Sequence, residues 1–271
     1  MKKRSSLVLR AVVVAAVLLI GSTFFFSPQK SELRRLRMSV HSSGSICMTA
    51  NTGSIAIAAL PKTDFDFCRL ADPADGIEIR QTAWSPDGRH IALTWVKGSR
   101  STIALYDLES RRIRHLDAGA SSFVIGWGEP DVITIGRAVS FRSPNRLLGP
   151  EYEEPVAAYR FSPDSGRLIP FTGSMESAEN SFLRVERFAV TVLRKDFEYK
   201  LQIVGDDAVV CATSRGYFDG SIGIANAVVI ALRHNDKRTL REIVSIDPKS
   251  CKVSTIVASD KLTAILDNLK R

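Results

Sequence analysis

One short stretch constrains the fold of this chain more than any other. It reads Ala83-Trp84-Ser85-Pro86-Asp87-Gly88-Arg89-His90-Ile91-Ala92-Leu93. Ser-Pro-Asp-Gly fits a type I turn, because proline fixes φ at the second position and glycine relieves the last. An aromatic before the turn and an apolar run after it predict two antiparallel strands. A second hairpin follows at once, with Ile103–Ser110 leading into Arg111–Leu116. Four strands in about 40 residues make one self-contained sheet, and a unit of that length repeats to build a larger fold.

The rest of the chain keeps the same rhythm. Short β-branched runs alternate with Gly, Pro, Asp, Asn and Ser clusters about every 8 to 12 residues, a spacing of all-β sandwiches, barrels and propellers. The runs include Ser45–Ala50, Ser54–Leu60, Asp131–Val139, Ala189–Arg194, Tyr199–Val204, Ala227–Leu232, Glu242–Ile246 and Val253–Val257.

Between Ile77 and Leu116 the motif Trp84-Ser-Pro-Asp-Gly-Arg-His-Ile-Ala-Leu resembles the β-propeller repeat of TolB and its WD-repeat-like relatives. In those repeats the turn joins the innermost strand to the next. The period then places a blade over Met38–Leu70, one over Phe123–Phe171 and a degenerate one over Phe182–Thr213, with the last ending near Val257. The turns Ser162–Gly166 and Ser245–Ser250 take the place of outer hairpins. The expected fold is an all-β propeller of five four-stranded blades, or six if the first is split between the chain ends. TolB adds a second α/β domain to its propeller. Five blades leave no room for one here, so the resemblance implies the architecture and not TolB's own role.

The N-terminus has a different character. Lys2-Lys3-Arg4 precedes an apolar stretch from Leu7 to Phe26 that is broken only by Arg10. A helix of that length spans roughly 30 Å, enough to cross a bilayer core. Residues 1–29 therefore read as a signal anchor, with a cleaved signal peptide as the alternative. Residues 30–37 form a basic linker, 38–259 the propeller and 260–271 a short helix or tail. Positive charge at the front orients the N-terminus to the cytoplasm. The body then lies in the periplasm, tethered to the inner membrane by one pass, or is secreted or periplasmic after cleavage.

Charge excludes one class of partner. Residues 1–37 hold eight basic side chains against one acid, leaving 29 basic and 28 acidic among the remaining 234. The body is almost neutral, so nucleic-acid binding has no electrostatic support.

A search for chemistry finds little. There is no G-x-S-x-G elbow, H-E-x-x-H pair or phosphate-binding glycine loop. The four histidines share no metal-ligand spacing, so no metal or cofactor is expected. Asp87, Arg89, Asp164 and Asp247 read as turn residues bonding their own backbone. Trp84, Tyr106, Trp127 and Phe161 read as aromatics packed between blades. Glu78, Glu129, Glu186 and Asp219 lie on or near inner strands. They keep open a propeller enzyme acting on a glycan or lactone. The four cysteines, Cys47, Cys68, Cys211 and Cys251, read as buried thiols. If disulfides form, the pairs are Cys47–Cys68 and Cys211–Cys251.

Binding residues fall on loops. The longest expected loop runs from Phe141 to Pro155 and carries Arg142, Asn145, Leu147, Leu148 and Tyr152, a mixture suited to an interface. Arg215–Gly220 offers Tyr217, Phe218 and Asp219 in a turn. The expected role is a non-catalytic interaction module for an envelope or periplasmic protein. Self-assembly into a homo-oligomer is a further alternative. Leu262, Ile265, Leu266 and Leu269 form an apolar stripe at helical spacing, suited to packing on the propeller or to binding a partner.

Overall fold

The structure, a computed structural model, describes residues 36–119, 121–129, 131–138, 155–172, 184–185, 188–195, 198–205, 209–213, 218–234 and 241–271. These residues form five four-stranded antiparallel sheets, each from four strands consecutive in the chain. The first contains β1 (Arg37–Val40), β2 (Ser45–Thr49), β3 (Ser54–Ala59) and β4 (Asp66–Arg69). The second contains β5 (Ile77–Trp84), β6 (His90–Lys97), β7 (Arg100–Asp107) and β8 (Ile113–Leu116). The third contains β9 (Ser122–Glu129), β10 (Val132–Ala138), β11 (Pro155–Phe161) and β12 (Leu168–Pro170). The fourth contains β13 (Arg184–Val185), β14 (Phe188–Lys195), β15 (Glu198–Val204) and β16 (Val209–Thr213). The fifth contains β17 (Phe218–Ala225), β18 (Val228–His234), β19 (Arg241–Ile246) and β20 (Val253–Val257), and α1 (Ser259–Lys270) ends the chain.

The arrangement is a β-propeller. First strands of successive sheets lie side by side: β1 against β5, β5 against β9, and β1 also against β17. No described sheet draws strands from both ends of the chain. The fifth sheet packs on the first.

The second sheet is covered on both faces, by the first and the third, which explains its apolar run. On β6, Ile91, Ala92, Leu93 and Thr94 are all buried in succession, with no alternation. Core side chains sit between sheets. Cys47 and Ile55 of the first sheet cluster with Leu93 and Tyr106 of the second. Ala92 and Ile103 of the second cluster with Ile133 and Phe161 of the third. Val190 and Leu201 of the fourth meet Val229 and Val244 of the fifth. Trp84, Tyr106 and Phe161 are buried in these layers, and Trp127 is half-buried against one of them.

Local chemistry starts the hairpins where the sequence places them. In the Ser85–Gly88 turn, the Gly88 amide donates to the Ser85 carbonyl at 2.9 Å, and Gly88 takes φ +71°. The Ser85 amide donates to the His90 carbonyl at 2.9 Å, which sets the β5–β6 register.

The seam between the fifth and first sheets has its own hardware. Gly223 on β17 lies so close to β1 that an added Cβ would stand 2.3 Å from the Val40 Cβ. The Met38 amide donates to the Ser221 hydroxyl at 3.2 Å. Buried Arg241 donates through Nη1 to the Leu36 carbonyl at 3.0 Å. Leu36, in the basic stretch that precedes the first strand, is itself fully buried. Helix α1 packs against β3, β4 and β19. Its Leu262, Ile265, Leu266 and Leu269 are all buried with Met38, Met48 and Leu232. At roughly 2 kcal/mol for each buried large aliphatic side chain, that stripe is a substantial hold on the seam.

Two findings depart from the sequence reading. Residues 218–225 form the first strand of the fifth sheet, whereas Phe218 and Asp219 are expected in a turn. The register of β17 on β18 shifts between Phe218 and Ile222, so Asp219-Gly220 marks an irregularity within a strand. The cysteines also divide. Cys211 and Cys251 form a disulfide with Cα atoms 5.6 Å apart, joining β16 to the β19–β20 turn of the next sheet. Cys47 and Cys68 are free and buried, so the Cys47–Cys68 pairing does not form. Cys47 sits on β2 opposite Ile57 and Cys68 on β4 opposite Ile55, with β3 between them. Two strand spacings amount to about 10 Å, beyond disulfide reach.

Gly223→Ala should lower stability by about 2 kcal/mol or more, because packed backbone must separate to admit the methyl group. Gly98→Ala meets open space but keeps φ +59°, and should cost about 1 kcal/mol. Urea unfolding midpoints of the two variants check the order, and equal losses would show that the seam is not tightly packed.

Candidate interaction face

The propeller has two ends with different connections. One carries the turns joining first to second and third to fourth strands, such as Ser85–Gly88 and Asp247–Cys251. The other carries the turns joining second to third strands and the connections between sheets. The binding residues expected from the sequence belong to this second, linker end. Arg142, Asn145, Leu147, Leu148 and Tyr152 fall on the β10–β11 connection, and Tyr217 on the β16–β17 connection. All six lie outside the described residues, as does Glu186. Phe218 and Asp219 are placed on β17.

Among the described residues, the linker end carries both charges, with Asp72, Asp75, Glu78 and Asp117 beside several cations. Lys97 and Arg100 flank the exposed tip of the β6–β7 hairpin. Arg137 is close to the end of β10 and donates through Nη2 to the Ala118 carbonyl at 3.1 Å. On the fifth sheet, Arg233 Nε contacts Glu242 Oε1 at 3.0 Å, and the Thr255 hydroxyl donates to Glu242 Oε2 at 2.8 Å. Glu242 is 8% exposed, so its charge is both paired and bonded, as burial of a carboxylate requires. These groups escaped the sequence reading. A signal existed, because the β18–β19 register sets Arg233 directly opposite Glu242.

The hairpin end brings Ser85, Asp87 and His90 together, three residue types of a hydrolytic triad. Their bonds do not match the roles. The Ser85 hydroxyl donates to Asp87 Oδ1 at 2.6 Å and to the His90 carbonyl at 3.1 Å. The His90 ring turns away and places Nε2 3.0 Å from Asp107 Oδ2. A triad needs the hydroxyl bonded to the imidazole and the imidazole to the acid. Here the hydroxyl and the Asp87 carboxylate staple the turn instead, and Asp87 also accepts from the Arg89 amide at 3.0 Å. Asp247 repeats the device, accepting from the Lys249 amide at 2.9 Å and the Ser250 hydroxyl at 2.6 Å. Asp107 accepts from the Ser110 amide at 2.6 Å. Asp164 differs, since it receives Arg114 Nη2 at 3.5 Å.

These bonds set the electrostatics. The Ser85 hydroxyl and then the Arg89 amide hold the Asp87 carboxyl below its usual range. The Ser110 and Ser250 groups do the same for Asp107 and Asp247. Of the carboxylates considered for catalysis, Glu78 is held by Arg80 Nε at 3.1 Å and Glu129 contacts Arg160. Burial pushes the Cys47 thiol up to about 12, leaving it protonated and a poor nucleophile. No group of three or more potential metal ligands occurs among the described residues.

No family model and no curated protein matches the chain. Among solved structures it is similar to a provisionally assigned TolB from Agrobacterium tumefaciens. The identity is 11% over 82% of this chain and 79% of that one, with TM-score 0.42. It is also similar to the β-propeller domain of the Trilobed protease from Pyrococcus furiosus, at 14% identity over 82% and 71% of the two chains, with TM-score 0.35. A third likeness is to the AtxE2 isopeptidase, at 15% identity over 84% of this chain and TM-score 0.40; the chain spans 47% of that enzyme.

The turn carboxylates make a definite prediction about acid. Asp87 titrates lower folded than unfolded, so its stabilisation is complete above the ordinary aspartate range. It is lost as pH falls through the lowered value. Asp87→Asn should therefore be less stable than the native chain at pH 7, and the gap should narrow toward pH 3. Urea midpoints at both pH values measure it; a constant gap would show that the charge contributes nothing.

Proposed function

We propose that this chain is a membrane-tethered, extracytoplasmic propeller that binds a protein of the cell envelope and performs no catalysis. In this reading the five sheets are the five blades of one closed ring, and residues 1–29 are its uncleaved anchor in the inner membrane. The observation that carries the location is the Cys211–Cys251 disulfide. It clips an outer strand of one sheet to the outer turn of the next, and such bonds persist in oxidising compartments. An apolar stretch behind Lys2-Lys3-Arg4 supports the same side of the membrane. No helix among the described residues is long and apolar enough to cross a bilayer, and the stretch itself lies outside them.

The binding role is supported by how the reactive side chains are used. Ser85, Asp87, Asp107 and Asp247 hold turns, and Glu242 is consumed in a buried pair. A propeller face readily offers the roughly 800 Å² per partner that a specific interface needs. The linker end, with the β10–β11 connection and its Arg142, Leu147 and Tyr152, is the face we assign to the partner.

Two measurements test this. In-cell crosslinking of the tagged full chain, with mass spectrometry of membrane fractions, should recover a specific envelope protein. Substituting Arg142, Leu147 and Tyr152 together should abolish that recovery while the far-ultraviolet spectrum is unchanged. Undiminished recovery removes the loop assignment, and recovery of the chain alone favours self-assembly. Separately, thiol alkylation should find Cys211 and Cys251 oxidised in the full chain and reduced in a chain expressed without residues 1–29. Oxidation in both would remove the argument from compartment.

A further inference from the structure

Arg137 is held in an unusual way for a surface cation. It lies on β10, one residue before the strand ends at Ala138. Its guanidinium carbon stands 4.9 Å from the centre of the Tyr159 ring, a diagonal neighbour on β11. That contact is a cation–π interaction, and a stack of this kind fixes the plane of the guanidinium. Nη2 donates to the Ala118 carbonyl, on the connection from the second sheet to the third. The same connection is shaped to admit the group. Gly119 has φ +83°, and an added Cβ there would meet Arg137 Nη2 at 2.7 Å. That backbone favours glycine, and the end of the Arg137 side chain lies against it.

The hydrogen-bond inventory of this guanidinium is incomplete. Nε is buried and has no partner among the described residues. Nη1 has no partner among the described residues and is not a buried unpaired atom. No carboxylate among the described residues pairs with it, and Asp117, two residues before Gly119, is exposed. Lys97 and Arg100 stand at the same end of the neighbouring sheet, also without a carboxylate partner among the described residues.

We propose that Arg137 is a preformed carboxylate seat at the linker end, taking an acidic side chain of the protein partner on its Nη1 edge. Lys97 and Arg100 then add favourable charge beside it. The planar guanidinium, already oriented by Tyr159 and Ala118, loses little freedom when a planar carboxylate arrives, and this favours a carboxylate over other anions. The seat deepens the protein-binding reading above and rests on it.

The test uses the full chain in detergent micelles and two labelled peptides, hexaglutamate and hexaglutamine, followed by fluorescence anisotropy. The chain should bind hexaglutamate in preference to hexaglutamine. Arg137→Gln and Arg137→Lys should each weaken hexaglutamate binding by roughly tenfold or more, the lysine variant because it keeps charge but loses the planar fork. Arg114→Gln, at an exposed pair with Asp164, should change it by less than about twofold. If Arg137→Gln fails to fold, Arg137→Lys carries the comparison, with its melting curve as the check. Unchanged affinity in a folded Arg137 variant would overturn the seat, as would equal binding of the two peptides. Arg137-dependent binding to phosphatidylglycerol vesicles without hexaglutamate binding would overturn it too, in favour of a lipid phosphate. In cells, a partner recovered equally by native and Arg137→Gln chains removes the seat and leaves the protein-binding reading. Arg137-dependent hexaglutamate binding by a chain that recovers no partner removes that reading and leaves the seat.

Discussion

A four-stranded sheet with two apolar faces has no stable existence alone. Among the described residues, buried clusters join the first sheet to the second, the second to the third, the fourth to the fifth and the fifth to the first, and the constraint becomes critical where the first and fifth sheets meet. Their inner strands approach closely enough that Gly223 has no room for a Cβ beside Val40. Arg241 reaches from the fifth sheet to the Leu36 carbonyl before the first strand. Helix α1 then closes the outside of the joint with four buried aliphatic side chains. A ring can also be closed by sharing one sheet between the chain ends. Among the described residues no strand is shared, so side-chain burial joins three hydrogen bonds to main-chain groups, Met38 to Ser221, Arg241 to Leu36 and the Asn226 amide to the Ser42 carbonyl, in place of a ladder.

The disulfide acts on the neighbouring joint, between the fourth and fifth sheets. Its closed loop is 40 residues in sequence, which in the chain-entropy description restricts the unfolded chain by about 4 kcal/mol. The fourth sheet begins with a two-residue strand, β13, so its inner edge contributes few ladder bonds. A covalent clip on its outer strand, Cys211 of β16, compensates at the opposite edge. The free thiols show the contrasting case. Cys47 and Cys68 share one face of one sheet, separated by β3, where strand spacing forbids a bond and burial keeps Cys47 protonated.

What the sequence could reveal was set by whether a feature is local. The Ser85–Gly88 turn is a four-residue event, and its side-chain chemistry is written in Pro86, Asp87 and Gly88 themselves. The stripe of α1 is likewise legible from spacing alone. The strand at 218–225 was not, because Asp219-Gly220 carries the signature of a turn while the structure uses it as an irregularity in a paired strand. Gly223 and Gly119 look alike in sequence. One is required by a strand 183 residues earlier in the chain, the other lies against a guanidinium, and neither contact leaves a local trace. The Arg233–Glu242 pair is intermediate, since it follows from hairpin register once the strand ends are known. Arg137 needed the third sheet, Tyr159 and the preceding connection together before its incomplete bonding became visible.

The two ends of the propeller use charge in opposite ways, and the difference bears on where binding can reside. At the hairpin end, Asp87, Asp107 and Asp247 each accept bonds from groups within three residues along the chain, and Asp107 also meets His90. Such carboxylates have little capacity left for a partner, because recruiting one would dissolve the turn it holds. At the linker end, Lys97 and Arg100 are exposed, and water satisfies them at small cost. Arg137 is different in kind. Its plane is fixed by Tyr159, its Nη2 is committed to Ala118 and its buried Nε has no partner among the described residues. An outside carboxylate would meet the Nη1 edge and not the buried Nε, and a guanidinium already held in one orientation loses less freedom on taking it than a free surface arginine does.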